Sequence, residues 1–113
     1  MDTIRQNKIS RLIQKELSEI IRIESISRYD KSTIITITNV RVTADLSIAK
    51  VYISIFSSKI DKKTIFEDID NSNKFFRLQL GKIIGKQVRI IPELRFYIDD
   101  SLDYVERIEQ LLK

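Results

Sequence analysis

The sequence predicts an α+β fold, with a three-stranded sheet in one layer and helices packed on one of its faces. Three observations carry this reading. Apolar residues recur at steps of three and four over 4–23 and again over 65–85. β-branched residues alternate with polar ones over 33–42 and 46–56, on either side of a short polar turn. A length of 113 residues suffices for one core and not for two. The order is α-β-β-α-α-β with a C-terminal helix, in a single domain over 1–113.

The first helix spans 4–23. Ile9, Leu12, Ile13, Leu17, Ile20, Ile21 and Ile23 fall on one arc, and Arg5, Lys8, Arg11, Lys15 and Arg22 on the other side. Ile4 lies off the arc, so the first turn is expected to fray. In the first strand Ile35 and Ile37 share a face while Val40 and Val42 are in the opposite phase, which predicts a bulge at Asn39. Thr43-Ala44-Asp45 makes a turn, closed by Asp45. The second strand points Ala49, Val51, Ile53 and Ile55 inward, and Lys50, Tyr52, Ser54 and Phe56 outward. Tyr52 and Phe56 are positioned to stack on bases or to pack under a neighbouring element.

Thr64-Ile65-Phe66-Glu67 has the spacing of a capping box and predicts a helix start. The stripe Ile65, Ile69, Ser72, Phe76, Leu80 and Ile83 follows, interrupted by the poor helix formers Asn71, Ser72 and Asn73. Two helices are expected, 65–71 and 73–85, broken within 70–74, with Lys74 turned outward and Gly85 at the end. Lys74, Arg77, Lys82 and Lys86 decorate the second. Pro92 delays the pairing of the third strand, in which Leu94, Phe96 and Ile98 share a face. Ser101 is expected to cap a last helix carrying Val105, Ile108, Leu111 and Leu112.

Composition removes most catalytic chemistry. There is no Cys and no His, hence no thiol nucleophile, disulfide, Cys/His zinc site or Ser-His-Asp triad. Two glycines, Gly81 and Gly85, cannot build a phosphate loop. Asp99, Asp100 and Asp103 form an acidic cluster better explained by helix capping than by acid–base work. The expectation is a binder, with no enzymatic activity, metal, cofactor or small-molecule substrate. No apolar run approaches the ~20 residues of a membrane span. The net charge is +4, but residues 93–113 carry three basic and six acidic side chains, which leaves 1–92 at +7. A basic body suits a polyanion such as RNA.

Four stretches resemble the ribosome-binding factor A family. They are Arg5-x-x-Lys8-Ile9-x-x-Leu12-Ile13-x-x-Glu16-Leu17, the segment from Val40-Arg41-Val42-Thr43-Ala44-Asp45-Leu46 through Ala49-Lys50-Val51-Tyr52-Ile53-Ser54, Phe76-Arg77-x-x-Leu80-Gly81-Lys82, and Val88-Arg89-x-x-Pro92-Glu93-Leu94-x-Phe96-x-x-Asp99-x-Ser101. The resemblance implies a type II KH-like domain, monomeric and cytoplasmic, that binds the free, immature 30S subunit through 16S rRNA near the 5′-end helix and the decoding region. It also implies a part in late subunit maturation, rRNA processing and growth in the cold. Where the family usually has Ala-x-Gly at the interhelical kink, this chain has Ser72-Asn73-Lys74. Between Arg77 and Pro92 the chain is two residues longer than the family pattern, with Gly85-Lys86-Gln87 as the insertion.

Without a G-x-x-G backbone clamp, contact with RNA is expected through cations and shape. The candidate RNA-binding residues are Arg5, Lys8, Arg11, Lys15, Lys74, Arg77, Lys82, Lys86 and Arg89. The alternative is a basic protein-interaction adaptor without direct RNA binding.

Overall fold

The computed structural model describes residues 3–99. The expected last helix, with Ser101, and the acidic residues Asp100 and Asp103 lie outside them. The elements are α1 (Ile4–Arg28), β1 (Ile34–Val42), β2 (Ile48–Phe56), α2 (Lys62–Asn71), α3 (Asn73–Ile84) and β3 (Glu93–Ile98). The sheet order is β1-β2-β3, with β1 antiparallel to β2 and β2 parallel to β3. The parallel pairing needs a crossover, which α2 and α3 supply.

The inward strand residues Ile37, Val40, Val42, Ala49, Val51, Ile53, Ile55, Leu94 and Phe96 are all buried. Ile13, Leu17, Ile20 and Ile21 of α1, Ile65 and Ile69 of α2, and Phe76, Leu80 and Ile84 of α3 complete the same core. The expected bulge is present, with Thr38 as the extra residue between Ile37 and Asn39. It lets both apolar pairs of β1 face inward. The Thr38 hydroxyl donates to the Tyr52 carbonyl at 3.3 Å and to the Asp99 carboxylate, tying β1 to the end of β3.

Several expectations are corrected. The first turn of α1 does not fray. Thr3 Oγ1 accepts from the Gln6 amide at 3.1 Å and Gln6 Oε1 accepts from the Thr3 amide at 2.8 Å, a closed capping box. Gln6 Nε2 also donates to the buried Val42 carbonyl at 2.9 Å. α1 runs on to Arg28, and Ile23, at the margin of the arc, is 55% exposed. The Thr64–Glu67 box is not used, because α2 starts at Lys62 after Asp61, leaving Thr64 already inside the helix. In the last turn of α3 the buried row steps by four through Phe76, Leu80 and Ile84, so Ile83 is exposed. Ile98 is exposed too, at the end of β3.

The helical run breaks at Ser72, as expected. Its amide is shared between the Asp68 and Ile69 carbonyls at 3.1 and 3.0 Å. The break is braced from α1. Arg28 Nη1 donates to Ser72 Oγ at 2.9 Å and to Asp68 at 3.3 Å, its Nε donates to Glu24 at 2.9 Å, and its guanidinium lies 5.4 Å from the Phe75 ring centroid. The Tyr29 hydroxyl donates to the same Asp68. Burial, then that hydrogen bond and carboxylate, hold the phenol well above its usual range.

Gly85 follows α3, but in right-handed conformation (φ −59°). A Cβ there would lie 2.5 Å from the Gly81 carbonyl oxygen, so close backbone approach is what calls for glycine.

Candidate nucleic-acid interface

Six of the nine predicted cations line two grooves, each of which includes part of the loop between α3 and β3. The first groove is lined by Arg5, Lys8, Ile9 and Leu12 of α1, by Ala44, Asp45 and Leu46 of the hairpin turn, and by Gln87, Val88, Arg89 and Ile90 of the loop. The capping box and the Gln6–Val42 bond hold the first turn of α1 against the end of β1. Arg5 and Lys8 are thereby set beside the turn.

The turn has its own fastening. Asp45 Oδ1 accepts from Thr43 Oγ1 and Ser47 Oγ at 2.7 Å each and from the Ser47 amide at 3.1 Å. These bonds, the Ser47 hydroxyl foremost, pull the Asp45 pKa down to about 2. Asp45 is therefore a carboxylate at neutral pH and closes the turn as expected. Leu46 takes φ +62°, unusual for a side chain of its size, and packs on the core from there. Arg5, Lys8 and Arg89 share this groove with one carboxylate, whose Oδ1 already takes the three hydrogen bonds of the turn.

The second groove is lined by Lys74, Arg77, Leu78, Gly81 and Lys82 of α3 and by Ile91 of the loop. Arg77 donates to the Ile91 carbonyl through Nε at 3.2 Å and Nη2 at 2.6 Å. Two of its five N–H donors are used, which fixes the plane of the guanidinium and leaves Nη1 for an anion. Lys74 is exposed, as expected, and none of the described liners of this groove is acidic.

The remaining predicted residues are placed differently. Arg11 and Lys15 are exposed on α1 and Lys86 is exposed in the loop after α3, but none of the three lines either groove. Arg22 is paired with Glu19 one turn back. Gln6 was absent from the expected set. Its spacing from Thr3 and its place on the stripe of Ile13, Leu17 and Ile20 both signal its role.

Comparison with known proteins gives the family and the fold. A family model described as ribosome-binding factor A matches residues 5–112. A ribosome-binding factor A from Cytophaga hutchinsonii is 44% identical over 112 residues, covering 99% of this chain and 83% of the relative. One from Prosthecochloris aestuarii is 44% identical over 111 residues, covering 98% and 88%. The crystal structure of ribosome-binding factor A from Thermus thermophilus superposes with a TM-score of 0.65 at 17% identity, covering 82% of this chain and 94% of that one. A homology model of the Thermus thermophilus factor, fitted into a cryo-EM map of its 30S complex, gives 0.59 at 18% identity, covering 79% and 93%. With the family model spanning nearly all of it, the chain belongs to the ribosome-binding factor A family.

Proposed function

We propose that this protein binds the immature 30S ribosomal subunit through 16S rRNA and assists its late maturation, without catalysing a reaction itself. One observation carries the reading: six of the nine predicted cations line two grooves that share a single loop. Such paired basic tracks suit two phosphate runs of a folded RNA, read by shape rather than by base edges. The 30S complex of the Thermus thermophilus relative supports the choice of partner. Arg11 and Lys15 extend the first track along α1, and Lys86 adds a further exposed cation to the shared loop.

Cosedimentation with purified 30S subunits at several salt concentrations tests this. Changing Lys8 and Arg89 to Gln, or Lys74 and Lys82 to Gln, should weaken binding and lower the salt slope by roughly one per lost phosphate contact. The melting temperature should hardly change, because these side chains are exposed. Unaltered binding at every salt concentration would refute the proposal. Leu78 and Ile90, each 60% exposed beside the grooves, favour a protein contact as the second reading. Under that reading, capture would survive nuclease treatment.

A further inference from the structure

The helices cover one face of the sheet, and none of the described helices covers the other. Cross-strand register orders that second face into rungs. Arg41 stands opposite Lys50, and Lys50 opposite Arg95. The next outward rung is Asn39, Tyr52 and Tyr97. The Tyr52 and Tyr97 rings are stacked, with centroids 5.4 Å apart and planes 27° from parallel.

A cross-strand tyrosine pair steadies a sheet, but a row of like charges across adjacent strands opposes it. Glu93, with its carboxylate 3.8 Å from Arg95, offsets part of that repulsion at one end of the row. A polyanion laid over Lys50 and Arg95 would offset more of the repulsion between that directly opposed pair. The two rungs are two residues apart along each strand, roughly 6.6 Å. Flat rings therefore lie one short step from a line of cations, which is the combination that holds a single strand: bases stack on the rings while phosphates meet the charges. Tyr97 is 39% exposed, so its ring is reachable. Where the row meets the β1 edge, Arg41, Lys50 and Tyr52 also line a hollow of about 400 Å³ together with Gln6 and Thr43. That volume is in the range of small-ligand sites.

We propose that the face of the sheet turned away from the described helices is a second RNA-contacting surface, which takes an unpaired RNA strand on the Tyr52–Tyr97 pair and the neighbouring cations Lys50 and Arg95. The proposal rests on the RNA-binding reading above and adds a surface on the opposite side of the sheet from α1 and α3. The grooves would engage structured RNA by charge and shape. The sheet would engage unpaired nucleotides by stacking.

A fluorescently labelled uridine decamer, followed by anisotropy with the full chain, tests it. Tyr97→Leu should weaken decamer binding about tenfold, while Tyr97→Phe keeps the ring and the affinity. Lys50→Gln with Arg95→Gln should weaken binding and flatten its salt dependence. Ultraviolet cross-linking of the wild-type complex should place adducts on Tyr52 or Tyr97, a readout that needs no variant to fold. Decamer binding unchanged in Tyr97→Leu, adducts confined to α1 and the α3–β3 loop, or displacement of the decamer by polyglutamate of equal charge would each overturn the proposal. So would a fall in melting temperature in Tyr97→Leu with affinity intact, which assigns the pair to packing alone. The groove variants separate the two readings. If they fail to affect 30S binding while Tyr97→Leu weakens decamer binding, the groove assignment falls and the sheet surface stands.

Discussion

The starts of α1 and α2 carry the same four-residue spelling and use it differently. Thr3-x-x-Gln6 closes a capping box, whereas Thr64-x-x-Glu67 lies beyond a helix start already made at Lys62. The difference is in what each glutamine or glutamate can reach after folding. Gln6 shares a stripe with the core residues of α1, so its amide also meets the Val42 carbonyl at the end of β1. Glu67 is exposed. Ile65 and Ile69 are both fully buried, and they anchor α2 without help from a box. A capping signal has force where burial supports it and none where packing has already placed the helix.

The largest effect expected from breaking this contrast is in Gln6→Ala. It leaves the buried Val42 carbonyl without this donor and opens the box, and should cost about 2 kcal/mol in urea unfolding. It should also loosen Arg5 and Lys8 beside the hairpin turn and lower 30S affinity, although no charge is removed. Thr3→Ala, which opens the box but leaves the tertiary bond, should cost about 1 kcal/mol by the same measurement.

Asp45→Asn is expected to have a smaller effect, read as a change in pH dependence. The folded-state pKa of Asp45, about 2, lies below that of an unfolded aspartate. Its contribution is therefore present above about pH 4 and is lost as the pH falls towards 2. Melting temperatures of the wild type should decline across that window more steeply than those of Asp45→Asn, and the two slopes should agree above it. Thr64→Ala should be the least consequential, within about 0.5 kcal/mol of wild type. A loss near that of Thr3→Ala would remove the contrast between the two helix starts.

The legible parts of the fold were those written in periodicity. The inward residues of β2, the slip in β1, the break near Ser72 and the late start of β3 after Pro92 all follow from local rules about alternation, helix propensity and missing amides. The cations of the candidate site were legible as residues, but their grouping was not. Lys8 and Arg89 are 81 positions apart and meet only because the α3–β3 loop passes the first turns of α1. Arg11 and Lys15 share the helix face of Lys8 in sequence, yet the hairpin turn and the loop close over only the first turns of the helix.

Residue order alone thus specified the order of the six described elements, most of their buried faces and the excess of cations in 1–92, because each of these depends on neighbours within a turn or a rung. It did not specify that Arg77 would be locked onto the Ile91 carbonyl, that Arg28 would brace the Ser72 break, or that Arg41, Lys50 and Arg95 would stand in one row. Those are contacts between segments far apart in the chain. Whether they form depends on strand register and on how α1 and α3 sit on the sheet, and both are set by the shape of the packed core rather than by any local preference.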